Sequence, residues 1–456
     1  MAVAALDRRL GTFDAAAIII SNVIGSGIFL TPAVVASLTG EGWTLLAVWL
    51  AGGAIAFAGA MAYAELATLH PHAGGEYVYL REAFGPLAGF LTGWTSFVAG
   101  FSGAIAASAV GFASYLGRFV PAAGDTRVIV RVPLGVVDVT VTPQALVAIL
   151  TILLLSWIHV RGLGPGRIVQ NVLAGAKVTG LVALVVLGFT IGDGSWHHFG
   201  GTAAAGPAAS GFLLALVPVM FSYSGWNAAA YVAEEVREPA RNVPLALSIG
   251  TISVVLLYVA LNVLYVYAMP VRELAAVPGS RLMDTVAERL FGFVAGDVLA
   301  LFTIVSLAAS ISAMVIAGPR VYFAMARDGL FVPSASTVHP KFHTPASAIL
   351  AQGVWSGVLV LSGTLSQLVS YTGFAVVLFS AIAVLALFVL RHRHPDAPRP
   401  FRALGYPWAP ASFVGASAVI VMNEIWRNGP TAAAGLAVIA AGVPAYFLVR
   451  RRARRA

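Results

Sequence analysis

The chain carries a succession of continuous apolar runs, each about 20 residues long and separated by short polar connections. About 20 apolar residues in a helix match the roughly 30 Å hydrocarbon core of a bilayer, so runs of this length point to membrane spans. Charged residues are 10% of the 456, whereas soluble domains hold about 25%. A water-facing surface cannot be built from that supply. The runs are continuous rather than alternating, which excludes an outer-membrane barrel. Sliding windows predict twelve spans, at approximately 12–38, 42–69, 86–117, 143–160, 167–190, 210–233, 243–269, 294–318, 344–362, 367–390, 408–427 and 431–449.

The formal charge of +8 would invite a nucleic-acid reading in a soluble protein. Its distribution points to the bilayer instead. With the N-terminus cytoplasmic, 19 of the 27 Lys and Arg residues fall in cytoplasmic segments and seven outside, which is the positive-inside pattern. Both termini are then expected in the cytoplasm, and no nucleic acid is needed as a partner. Arg8 and Arg9 lead into the first span without a small-residue cleavage site after it, so that span is expected to stay as a signal anchor. The external loop 127–142 is expected to form a small hairpin, and 320–344 a short amphipathic helix ended at Gly329 and Pro333. With no cysteine, disulfides and thiolate chemistry are excluded. No cluster of His, Asp and Glu suggests a metal, and no cofactor is called for.

Two spans carry a weak point. In the first, Gly25, Ser26 and Gly27 sit midway between Val23 and Ile28, and each glycine costs about 1 kcal/mol relative to alanine inside a helix. In the sixth, Phe221-Ser222-Tyr223-Ser224-Gly225-Trp226-Asn227 follows Pro218. Interrupted segments in corresponding places of two halves are the best sequence pointer to a secondary transporter with inverted repeats, whose substrate binds at the breaks. The expected units are a first five-span repeat at 12–190, an inverted second repeat at 210–390, and a peripheral pair at 408–449. Unwound backbone in hydrocarbon must find partners, and a zwitterion supplies both signs. A carboxylate is expected on the N–H groups of Ser26, Gly27 and Ile28, at the positive end of a half-helix. An α-ammonium is expected on carbonyls near Val23, Phe221 and Ser224. Close helix packing is the other use of such glycines.

One basic residue, Lys177, lies inside the membrane, in the fifth span. It is ten residues past Arg167, about 15 Å along a helix, too deep for its side chain to reach water. A charge at that depth costs at least about 2.5–3.5 kcal/mol, so it must face the protein interior. The unwound carbonyls of the first span are the expected acceptors, with Ser306 and Ser310 of the eighth span supplying hydroxyls. An ammonium held there stands where another transporter holds sodium, and it is also a candidate proton carrier. Stapling of helices is its alternative role.

Several stretches together resemble the amino acid, polyamine and organocation (APC) transporters: Gly25 to Phe29, Tyr63 to Leu66, His72 to Tyr77, Phe221 to Glu235, Gly318 to Gly329, and Arg399 to Arg402. The likeness is closest to bacterial permeases and the L-type and cationic amino-acid transporters, and it runs along nearly the whole chain. It implies an all-α polytopic membrane protein with twelve transmembrane helices, a five-plus-five inverted-repeat core and two peripheral helices. It also implies alternating access for an amino acid and a sodium-like place for Lys177. Gly318-Pro319 and Ser224-Gly225 depart from the residues common in relatives.

Around the breaks, Phe221 and Trp226 are candidate lids, Asn227 a pocket residue, and Glu234 and Glu235 a gate paired with Arg81 or Arg327. No acid is predictably placed for a second substrate cation, which favours neutral amino acids. The resulting expectation is a bacterial inner-membrane permease for neutral L-amino acids, sodium-independent, working by exchange or with protons as partner. Its rivals are a cationic amino-acid or polyamine antiporter and, from another class, an amino-acid sensor that binds without transport. An enzyme would need convergent acid, base or nucleophile at depth, where only Lys177 is found.

Overall fold

The computed structural model describes residues 6–25, 27–133, 138–200, 208–278, 282–292, 295–362, 365–427 and 429–453. Among them, nine helices are long and apolar enough to cross a membrane, or ten if the bent pair Thr12–Val23 and Gly27–Thr39 is one span. All of them fall on predicted spans. Two shorter apolar helices, Gly211–Tyr223 and Ala346–Ser362, lie at the sixth and ninth.

Large apolar side chains such as Leu150, Val172, Leu256, Leu301, Met422 and Leu448 point outward. A belt of this kind is tolerated when the surrounding solvent is lipid, since only backbone that is hydrogen-bonded within its own helix can face hydrocarbon. The first span packs against the fifth, seventh and eighth, and its second half-helix packs against the sixth. The eleventh, Trp408–Arg427, and twelfth, Gly429–Ala453, lie against the tenth at the edge.

Two expectations for the connections fare differently. The hairpin expected of 127–142 forms, with Val130–Pro133 antiparallel to Asp138–Val141, while 134–137 lie outside the described residues. The separate amphipathic helix after residue 320 does not form. The helix Ala295–Arg327 carries straight on from the eighth span. Val321, Tyr322, Phe323 and Met325 are buried, so the segment belongs to the core rather than to a surface. It ends where Gly329 adopts φ +70°.

Candidate functional site

The first span is interrupted between Val23 and Gly27, and its two halves are bent by 50°. Ser26 lies outside the described residues. Gly27 and Ile28 open the second half-helix, so their N–H groups have no partner within that helix. Gly27 also crosses the sixth span at close range. A Cβ there would lie 2.8 Å from the Ser222 Cα, a distance only glycine permits.

The sixth span is helical to Tyr223, turns through Ser224 to Asn227, and resumes as the single helical turn Ala228–Tyr231. Gly225 takes φ +102°, and a Cβ on it would strike the side chain of Asn22 at 2.7 Å. The two interruptions meet. Asn22 Nδ2 donates to the Gly225 carbonyl at 2.9 Å, the Thr31 and Ser222 hydroxyls are 2.7 Å apart, and the Tyr258 hydroxyl donates toward the carbonyls of Val23 (3.0 Å) and Ser222 (3.3 Å). Two of the carbonyls expected to be free have partners. Val23 O also accepts from Gly25 N at 2.8 Å, and Phe221 O accepts from Ser224 N at 3.0 Å. A ligand ammonium would use the second lone pair of these oxygens, or displace the hydroxyl.

Lys177 is fully buried. Its Nζ donates to Ser21 O at 3.1 Å, to Ile24 O, and to Ser310 Oγ at 2.9 Å. These are the carbonyls at the end of the first half-helix, left over because the helix stops. Bonds to an ionised donor contribute on the order of 1.5–3 kcal/mol each, enough together to offset the cost of placing an ammonium at this depth. Ser306 lies one turn before Ser310, but its hydroxyl has no partner among the described residues.

On the arginine-rich face, Glu235 forms a buried bidentate pair with Arg320 at 2.9–3.1 Å. Glu234 is a hub. Its carboxylate accepts from Arg327 Nη1 at 2.9 and 3.0 Å, from Ala73 N at 2.9 Å and from Leu6 N at 3.4 Å. Arg81 turns instead to Glu82 and Asp328. The strand-like segment around Leu10 pairs with Val236 through Leu10 N to Glu235 O and Arg237 N to Leu10 O, both 2.9 Å. The end of the first span is thereby strapped to the end of the sixth.

Phe221 packs at Gly373 of the tenth span, where a Cβ would come within 2.8 Å of its ring. The Trp226 ring lies edge-on to Tyr63 at 4.8 Å and Phe413 at 5.4 Å, between the second and eleventh spans. Together with Ser224, Gly225, Val377, Ser380 and Ser417 it lines a cavity on that side. Asn227 Nδ2 donates to Glu76 Oε1 at 2.7 Å and to Tyr231 Oη at 3.2 Å. Glu65, at the end of the second span, is clasped by Arg391, Arg399 and the N–H of Ala403.

Sequence reasoning missed Asn22, Tyr258 and Glu76. The signal for Asn22 was present, as a polar side chain in an apolar span immediately before the glycines. Tyr258 and Glu76 come to the breaks only through tertiary packing.

The chain matches the model of a family described as amino acid permease over residues 10–444. It is 30% identical over 456 residues to the human large neutral amino acids transporter small subunit 2, covering 97% of this chain and 81% of that protein. It is 28% identical over 450 residues to the serine/threonine exchanger SteT of Bacillus subtilis, covering 98% of each. It is also 29% identical over 400 residues to the mouse b(0,+)-type amino acid transporter 1, covering 87% and 79%.

Proposed function

The chain belongs to the amino acid permease family and is a multi-pass amino-acid transporter, and we propose that it exchanges neutral L-amino acids by alternating access without sodium. The observation that carries this reading is Lys177. An ammonium on the carbonyls of Ser21 and Ile24 does for the interrupted helix what a bound cation would otherwise do, so no sodium gradient is required. The same fixed charge repels a second positive group on a substrate, which favours neutral side chains over arginine or polyamines. The names of relatives support the same class, an exchanger and a large-neutral transporter among them.

In this reading the substrate carboxylate takes the N–H groups of Ser26, Gly27 and Ile28, and the ammonium takes carbonyls near Val23, Phe221 and Ser224, sharing the first with the Tyr258 hydroxyl. Phe221 closes over it. We take the arginine-rich face as cytoplasmic, the membrane as the bacterial inner membrane, and the twelve predicted spans as two inverted sets of five plus a peripheral pair. Glu234 and Glu235 then close the cytoplasmic side.

Uptake into proteoliposomes tests the proposal. Labelled neutral amino acids should enter only when unlabelled substrate is inside, at the same rate with and without a sodium gradient. Uptake that requires sodium, or a preference for arginine over every neutral amino acid, would overturn it. Binding without flux would mark the chain as a sensor.

A further inference from the structure

Glu76 is a buried acid with no cation beside it among the described residues. It opens the helix Glu76–Phe84 in the connection between the second and third spans and is 6% exposed. Its Oε1 accepts from Tyr63 Oη at 2.5 Å, Asn227 Nδ2 at 2.7 Å and Ser380 Oγ at 3.0 Å. Those donors belong to the second span, the turn that interrupts the sixth, and the tenth. The titratable groups facing it are Tyr63, Tyr79 of its own helix and Tyr231 beyond the break. Among the described residues no Lys, Arg or His pairs with it. The neighbouring arginines are committed elsewhere: Arg81 to Glu82 and Asp328, Arg320 to Glu235, Arg327 to Glu234, Arg391 to Glu65.

An ionised carboxylate buried without a counter-charge is costly, and such a group neutralises instead. The neutral acid keeps a carbonyl oxygen with two lone pairs, so it holds fewer of these three donors at once than the ionised carboxylate can. Burial accordingly pushes the Glu76 carboxyl above the usual carboxylate range. What the carboxyl holds matters, because Asn227 ends the turn whose Gly225 carbonyl is tied to Asn22. A change of charge on Glu76 therefore acts on a chain of bonds that runs through both interruptions.

We propose that Glu76 is a positioning residue that carries a proton, and that this proton sets the grip on Asn227 and with it the mobility of the interrupted sixth span. The inference rests on the transport reading above. With Glu76 protonated, the turn is held by bonds between neutral groups and can rearrange. When the proton leaves, the carboxylate draws its amide and hydroxyl donors more tightly and exchange slows. The sign follows: the acid is neutral below its raised titration point and ionises as pH rises through it, so the rate falls with rising pH.

The test is exchange in proteoliposomes over about pH 5.5 to 9, with Glu76→Gln as the permanently neutral counterpart. Wild-type exchange should fall by about tenfold per pH unit above the titration point, while Glu76→Gln stays flat at the low-pH wild-type rate. The same pH dependence in both, no dependence in wild type, or a folded Glu76→Gln that is inactive at every pH would each overturn the proposal. A pH-difference infrared spectrum gives an independent reading. Wild type should show a carboxylic C=O band that vanishes at high pH and shifts in Glu76→Asp, and a band unchanged in Glu76→Asp would equally count against it. Because the band does not depend on transport, a wild type that shows it but moves no amino acid would refute the transport reading while leaving the protonation of Glu76 standing.

Discussion

The side-chain amide of Asn22 donates to the Gly225 carbonyl at 2.9 Å, across 203 residues of sequence. The two places where the helices come undone are thus one place in space. Each interruption supplies what the other lacks: the sixth span offers a carbonyl turned out by a positive φ at Gly225, and the first offers a donor just ahead of its own break. Substrate bound between them would be gripped by both halves of the molecule at once.

Asn22→Ala should therefore loosen the pair of breaks rather than either alone. The part-buried Gly225 carbonyl loses a donor, at a cost toward the lower end of the about 1–3 kcal/mol for an unsatisfied buried group. Thermal unfolding of the purified protein should shift down, and equilibrium binding of a neutral amino acid should weaken about 5- to 100-fold if the bond shapes the site. Unchanged affinity with lowered stability would confine Asn22 to a structural role.

Gly27 separates close approach from backbone capture. A Cβ at this position meets the Ser222 Cα at 2.8 Å, so Gly27→Ala forces the half-helices apart, with a strain of about 1–3 kcal/mol. Affinity should fall sharply. Because the obstacle is main chain, Ser222→Gly should fail to restore binding in the double variant. Binding assayed on detergent-purified protein checks both points, and recovery by Ser222→Gly would show that the side chain alone was in the way.

Lys177→Met keeps the length of the side chain and removes its charge. The Ser21 and Ile24 carbonyls would lose their charged donor and keep only the Ser310 hydroxyl between them. Transport should drop to background while membrane insertion and monodispersity are kept. An exchange rate near wild type would remove Lys177 from the mechanism, and a rate rescued by sodium would show that its charge replaces a metal ion.

Much of this was legible in the sequence, and the reasons are physical. Spans of continuous apolar residues announce themselves because lipid imposes one length and one backbone solution. The breaks were visible because glycine and serine triplets are out of place in such runs. Lys177 was traceable to the first-span carbonyls because a buried ammonium has few places to go, and spacing put Ser306 and Ser310 on one face without saying that Ser310 is the one that meets it. What could not be seen was lateral: Trp226 packs on Tyr63 and Phe413, and an aromatic ring in a helix gives no sign of which neighbour it meets. The continuation of the eighth span to Arg327 was hidden because Arg320 and Arg327 look like the polar residues of a surface helix, yet both are matched by acids from the end of the sixth.

Those same acids allow the gate to be tested by access rather than by flux. Glu234 joins Leu6, Ala73 and Arg327, whereas Glu235 and Arg320 are both buried, so removing Glu235 risks the fold itself. Glu234→Gln keeps an acceptor and loses the charge, and it should weaken closure of the arginine-rich face by about 1–2 kcal/mol, a factor of about 5 to 30 in the open population. The chain has no cysteine, so Ser21→Cys gives a single reporter. Ser21 is fully buried and its hydroxyl has no partner among the described residues, so a thiol there should react with an impermeant reagent only when the end of the first span swings free. Glu234→Gln should raise the labelling rate from the arginine-rich side by that factor, Arg327→Gln should do the same, and the double variant should add little to either because both remove one interaction. Additive increases would mean that Glu234 and Arg327 act on separate contacts, and no increase at all would place the closing force in the Glu235–Arg320 pair alone.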